Sequence, residues 1–380
     1  MKRDFRYVNF AQVAVLGIGN AGINSLARIS DDDVYSVDLL ALNTDTQKTS
    51  DAHLDRFISL GPSLTRGFGT GGDVALGAQA AERSQDVILD AIHNYDMLFL
   101  VSGFGGGTGT GATPIIAKLA KQLDILTVGI IYTPFALEGP KMTAVAHQAI
   151  EAMRDDVDTL IVIPNDRLAE IAGPHQGVES IFRLGDEVLK RSIHVIEDLL
   201  TRPGIINADF ADVRTIMKGQ GATLLTKGQA SGRDRIYQAA HKATFCPILN
   251  MTIQGATHVL LNITGGPDLD LFEIEEIVAI IQKLVIPGGN FIFSTIQDEL
   301  LVDTVEVMVI ASGFETPQET QPPPVRPRKA AAHDHFTNAS HHLNPDIPTK
   351  NLYDFIPHPE KTGNEAQVKN VAYHYTLNAD

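Results

Sequence analysis

Short unbroken apolar runs alternate with helical patterns through the first half of the chain. Residues 13–16, 37–42, 97–101, 126–131 and 159–163 each read as a strand with no polar face. Such strands belong to a parallel sheet covered on both sides, and the helical stretches 23–29, 74–92 and the one starting near Ala112 supply the cover. From Glu179 to Leu200 apolar residues recur at spacings of one, three and four: Ile181, Phe182, Val188, Leu189, Ile193, Ile196 and Leu200. That pattern predicts one long helix, buried over more than a narrow stripe. Pro203-Gly204 stops it. Beyond it, strands at 256–263, 290–296 and 305–311 with a helix at 274–284 predict a second, α+β domain.

After Phe314 the pattern dissolves. Residues 316–380 hold nine of the 19 prolines, which favours extended chain and excludes this stretch from either core. The expected organisation is a nucleotide-binding α/β domain over 1–177, a central helix over 178–202, a loop and connecting helix over 203–219, and the α+β domain over 220–315. A linker over 316–343 and a tail over 344–380 complete it. Within the tail, residues 346–357 form an apolar island, the kind of short segment that docks to a partner.

Composition narrows the chemistry. With 46 acidic against 30 basic residues the chain carries −16, which disfavours nucleic acid and anionic membrane surfaces as partners. Cys246 is the single cysteine, so an intrachain disulfide and a thiolate-rich metal site are both excluded. No apolar run is long enough to span a bilayer, and the first residues lack a leader pattern. A cytoplasmic protein is expected.

The glycines fall at strand ends. Gly17-Ile18-Gly19-Asn20-Ala21-Gly22 follows the first strand, and alone it also fits a dinucleotide fingerprint. Gly105-Gly106-Gly107-Thr108-Gly109-Thr110-Gly111 follows the strand at 97–101. Backbone N–H groups bared by glycine, positive φ angles and the helix beginning after Gly111 would make an anion nest, and Thr108 and Thr110 add hydroxyls. No Gly-Lys-Ser/Thr follows, so this is not the lysine-bearing phosphate loop. A third polar loop, 65–73, argues for a triphosphate held from several sides.

These segments, with Asn43-Thr44-Asp45, Thr65-Arg66-Gly67, 163–168, Thr201-Arg202-Pro203-Gly204, 207–213 and 262–269, resemble the FtsZ family of tubulin-like division GTPases. The resemblance runs from about Val13 to Phe314. It implies a tubulin-like fold that binds GTP/GDP with Mg²⁺. It further implies head-to-tail filaments at the division site at midcell, and membrane-anchoring or regulatory division proteins on the C-terminal tail. By resemblance, Asn20, Ala21, Gly22, Ile23 and Asn24 line the phosphates with Gly103, Gly106, Gly107, Thr108 and Gly109, and Gly71 approaches from the third loop. Glu138 approaches the ribose; Asn24, Asn165, Phe182 and Asp186 recognise or pack the guanine. Asn207, Asp209 and Asp212 reach the nucleotide of the neighbouring subunit, where the carboxylates place the attacking water. The metal ligands are not readable.

Several positions depart from the family pattern. Asn20 and Ile23 replace glycines, Tyr132 replaces a threonine, and Met142 replaces an arginine near the phosphates. Ile23 is expected to be strained if its φ is positive, and Asp73 to add a negative charge beside the phosphates. Two other functions therefore stay open: a structural or regulatory filament with slow or absent turnover, and, on the first loop alone, a nicotinamide-dependent dehydrogenase.

Overall fold

The computed structural model describes residues 11–30, 36–47, 54–202 and 204–314. The expected linker and tail, 316–380, lie outside them. The chain starts with β1 (Val13–Ile18), α1 (Gly19–Ser30), β2 (Asp38–Asn43), β3 (Arg56–Ser59) and α2 (Pro62–Thr65). Then come α3 (Val74–Arg83), α4 (Gln85–Ile92), β4 (Met97–Gly103), α5 (Gly107–Gln122) and β5 (Leu126–Thr133). α6 (Pro140–Met153), β6 (Thr159–Pro164), α7 (Asn165–Ala172) and α8 (Val178–Thr201) follow.

The six strands form one sheet in the order β3-β2-β1-β4-β5-β6, and every pair is parallel. The order reverses between β1 and β4, which opens a crevice beyond their carboxyl ends. All residues of β1 and the first six of β4 are buried, as their unbroken apolar runs require. One face packs on α3, α4, α5 and α6 through residues such as Leu16, Ile88, Leu100 and Ile116. The other packs on α1 and α8.

After α8 come α9 (Phe210–Met217), β7 (Thr223–Ser231), α10 (Arg235–Ala243), the two-residue strands β8 (Phe245–Cys246) and β9 (Met251–Thr252), β10 (His258–Gly265), α11 (Leu271–Gln282), β11 (Asn290–Gln297) and β12 (Thr304–Ser312). β11-β10-β12-β7 is a mixed sheet: β11 lies parallel to β10, and the other pairs are antiparallel. α10 and α11 cover one face. The opposite face shares a core with the first sheet through α8: Val188, Ile193 and Ile196 belong to one hydrophobic cluster with Val101 and with Leu225, Leu260 and Ile310. α8 is thus the common spine of the two sheets.

Two boundaries differ from expectation. The helix expected over 74–92 breaks at Ser84, whose hydroxyl accepts from Gly61 N at 2.9 Å. More consequentially, α5 starts at Gly107 rather than near Ala112, so most of the glycine run is helical. The reason for glycine there is space, not positive φ. A Cβ on Gly107 would lie 2.1 Å from Thr70 Oγ1 and 2.7 Å from the Asp73 carbonyl, and one on Gly109 would lie 2.5 Å from the Gly103 carbonyl.

Candidate functional site

The crevice between β1 and β4 is a cavity of about 560 Å³. Two of its walls come from strand-to-helix junctions and a third from the loop between α2 and α3. Gly19, Asn20, Ala21 and Asn24 enter from the start of α1, and Gly106, Gly107, Thr108 and Gly109 from the start of α5. Gly69, Thr70, Gly71 and Gly72 form the third wall. The positive ends of two helix dipoles therefore converge on it, which favours an anion. Gly71 sits at φ +61 with nothing within 4 Å of a would-be Cβ, so its backbone faces open space. Gly106, equally open, precedes the first turn of α5.

Hydrogen bonds fix these walls. Asn43 Nδ2 donates to Asn20 Oδ1 at 2.7 Å, and the Thr44 and Thr108 hydroxyls pair at 2.6 Å. Gly105 N donates to Thr110 Oγ1 at 2.9 Å. Glu138 Oε1 accepts from Phe135 N at 2.8 Å, holding that turn beside the cavity with one carboxylate oxygen to spare. At the far end lie Asn165, Phe182, Tyr132, Ser25 and Arg28. Phe135 meets Phe182 edge to face at 5.9 Å. Oδ1 of the buried Asn165 has no hydrogen-bond partner among the described residues, an acceptor left for a ligand.

Of the residues read from the sequence, Asn20, Ala21, Asn24, Gly71, Gly103, Gly106, Gly107, Thr108, Gly109, Glu138, Asn165 and Phe182 line this cavity. Gly22, Ile23 and Asp186 do not. Gly22 lets α1 close onto β4, since a Cβ there would lie 2.1 Å from the Val101 carbonyl. Ile23 turns into the core at 5% exposure and is not among the positive-φ residues, so the expected strain is absent. Asp73, expected to add charge beside the phosphates, does not line the cavity; its Oδ1 caps α3 by accepting from Leu76 N at 3.1 Å. Met142 and Tyr132 do line it.

Asp186 lies under the cavity floor on α8. Arg28 donates to both its oxygens, Nε to Oδ2 and Nη2 to Oδ1 at 3.1 Å, and Tyr132 Oη donates to Oδ1 at 3.2 Å. Burial first, then the Asp186 charge, hold the Tyr132 phenol well above its ordinary pKa, so it stays a donor. Sequence reading missed Arg28. A lone arginine on a short helix gives no local signal, and its partner stands 158 positions away.

Asn207, Asp209 and Asp212 are elsewhere. Asn207 Oδ1 accepts from Gly204 N at 2.6 Å, and Ile206 bridges Thr295 of β11, so the loop after α8 rides on the second sheet. Asp209 and Asp212 form a capping box at the start of α9. None of the three lines the cavity. From Phe182 to Thr201, α8 advances roughly 28 Å at 1.5 Å per residue, which carries the loop away from it.

An anion-binding crevice at the switch point of a parallel sheet, joined by a long helix to a mixed sheet, defines a nucleotide-binding fold of the tubulin type. The chain matches the model of the tubulin/FtsZ family GTPase domain over residues 12–173 and that of the FtsZ family C-terminal domain over 221–315. It is 36% identical to an FtsZ dimer from M. jannaschii, covering 80% of this chain and 88% of that one, with a TM-score of 0.69. A mutant of M. jannaschii FtsZ gives 36% identity, 80% and 92% coverage, and 0.70. CetZ1 from Haloferax volcanii shares the fold at 22% identity, 80% and 95% coverage, and a TM-score of 0.66. The chain belongs to the tubulin/FtsZ family, and its first sheet is that family's GTPase domain.

Proposed function

We propose that this protein binds GTP in the crevice and polymerises head to tail, each subunit hydrolysing GTP with the carboxylates of its neighbour. One observation carries the reading. The phosphate cradle and the Asp209–Asp212 pair stand at opposite ends of α8, so neither end alone is a complete site. Each capped carboxylate keeps one oxygen free to hold a water in line with a γ-phosphate. Both ends also carry exposed apolar side chains: Phe68 and Leu137 beside the cavity, Ile205 and Leu300 near the acidic loop. A contact between unlike ends does not close, and open filaments result.

The residues fit the implied ligands. N–H groups at the starts of α1 and α5 would take the phosphates, and Asn165 and Phe182 the base. Mg²⁺ prefers oxygen donors and keeps waters; Thr108 and Asp45 line the cavity and would supply such donors. Among the described residues no group of three or more His, Cys, Asp or Glu could hold a metal, so the phosphates would be its main ligands. When bound, the cation would neutralise charge on the phosphates. The tail segment 346–357 would dock membrane-anchoring or regulatory division proteins. Deleting 318–380 should then leave melting temperature and GTP binding unchanged while abolishing that docking.

The test is GTP turnover against protein concentration, with electron microscopy of the same samples. Turnover per monomer should be near zero below an assembly threshold and rise steeply above it. Constant turnover well below the threshold would place the whole site in one chain. Met142, where the family carries an arginine, favours a second reading: filaments with little turnover at any concentration.

A further inference from the structure

Asp124 stands where the backbone asks for glycine. It follows the C-terminal end of α5, and its N–H donates to the Lys121 carbonyl at 3.0 Å while Ile125 N donates to the Ala120 carbonyl at 3.1 Å. Those two bonds are the Schellman close of a helix, whose left-handed residue is usually glycine. Asp124 takes that place at φ +56. A side chain at such an angle is strained, and aspartate bears it better than most. The Asp124 side chain is 72% exposed, so packing does not explain it.

What the carboxylate does is hold α9. Lys218 Nζ donates to Asp124 Oδ1 at 2.7 Å, and Arg214 Nη2 donates to Asp124 Oδ2 and, at 2.8 Å, to the Asp124 carbonyl. Arg214 and Lys218 stand four residues apart and so share one side of the helix. Val213, Ile216 and Met217 seat its apolar face in the core. Upstream, the loop is pinned to the second sheet: Ile205 N donates to the Thr295 carbonyl at 2.8 Å, and Thr295 N to the Ile206 carbonyl at 2.9 Å. Downstream, the chain is tied to the first domain, where Gly219 N donates to Asp158 Oδ1 at 3.1 Å and Gly221 N to the Asp158 carbonyl at 3.0 Å. Asp209 and Asp212 lie between these ties, at the start of the helix that Asp124 grips.

We propose that Asp124 is a positioning residue for hydrolysis in the neighbouring subunit: through Arg214 and Lys218 it sets the rotation of α9, and so the direction in which Asp209 and Asp212 meet the next nucleotide. The inference rests on the shared-site reading above. Exposed ion pairs add little to stability, and glycine would close the turn with less strain. The value of the grip is therefore geometric, and a misplacement of about 1 Å at a reacting centre can cost on the order of 100-fold in rate. α5 begins in the phosphate cradle and ends at Asp124, so a single helix also links a subunit's own crevice to the acids it offers its neighbour.

The experiment compares the full chain with D124G, D124N, R214A and the double variant D124G/R214A. It reads melting temperature, GDP affinity by calorimetry, and GTP turnover per pelleted subunit at saturating GTP. Glycine suits the turn and the Asp158 ties remain, so D124G should melt at or above the wild-type temperature and keep GDP affinity, while turnover falls ~10-fold. D124N, which tolerates the same backbone and keeps an acceptor oxygen, should recover part of the rate. R214A should fall as D124G does, and the double variant no further than either, because both changes remove one contact. R214A leaves the turn untouched, so the test survives a D124G chain that folds poorly. Wild-type turnover in D124G and R214A, a fall matched by lost GDP affinity, or losses that multiply in the double variant would overturn the proposal. Wild-type filaments without turnover would overturn it too, since no reaction would need positioning. Wild-type turnover that stays constant below the assembly threshold would instead refute the shared site itself, whatever D124G does.

Discussion

Asp209 and Asp212 cap each other. Asp209 Oδ1 accepts from Asp212 N at 3.0 Å, and Asp212 Oδ2 accepts from Asp209 N at 3.0 Å. Two acids three residues apart would ordinarily repel. Here each satisfies an N–H that the start of α9 leaves open, and the helix dipole favours both charges.

Separate roles for these acids and the crevice give the first prediction. D209A and D212A should keep GDP affinity, because their own cradle is intact, and should lower turnover on the order of 100-fold or more. Loss of the cap should cost about 1 kcal/mol in a denaturation curve. A loss of GDP affinity equal to the loss of turnover would contradict the division of labour.

The approach of α3 to α5 gives the second. Gly77 would meet the Gly107 carbonyl at 2.3 Å if it carried a Cβ, and Gly107 would meet Thr70 and Asp73. Backbone on both sides leaves little room to yield. G77A and G107A should each destabilise by about 1–3 kcal/mol, read as a lowered melting temperature. Both should also weaken GDP, because the third loop is seated through this contact.

Met142 gives the third. It lines the cavity beside Gly105 without a charge. M142R should tighten GTP by about 1 kcal/mol, roughly fivefold, and salt should erode the gain. Titrations at two ionic strengths measure both effects.

A fourth concerns pH. Glu306 on β12 is buried, which pushes its pKa up; Lys227, 2.6 Å away, opposes the shift. Asp198 and Arg202 also face it. Because the folded-state pKa is raised, this group's contribution to stability is complete below the ordinary glutamate range and is lost as pH rises through the folded value. Denaturation of wild type and E306Q from about pH 4 to about pH 7 should show the difference moving against wild type. A difference independent of pH would remove Glu306 from the account.

Fold legibility followed how local each signal was. β1, β4 and β5 announce themselves because both faces are buried. β7 escaped notice: Lys227 and Gly228 interrupt its pattern, since Lys227 pairs with Asp198 and Glu306 and a Cβ on Gly228 would lie 2.1 Å from the Ala239 carbonyl. In the crevice, residues carried by glycine loops were legible, and the cavity gathers most of them. Gly22 and the Ile23 side chain stand outside the cavity lining because α1 begins at Gly19, inside the glycine motif, and turns them toward the sheet. Arg28 and Asp186 form a pair only once α1 packs on α8.

The length of α8 has a further consequence. If a filament repeats the contact between its two ends, this rigid rod is the ruler of the repeat. Adding one helical turn would move the capped acids about 5.4 Å relative to the crevice, more than the reach of a hydrogen bond. Subunits of altered rod length could still bind nucleotide, yet they would mark time differently from their neighbours. The rod thereby sets which copies can share one working polymer.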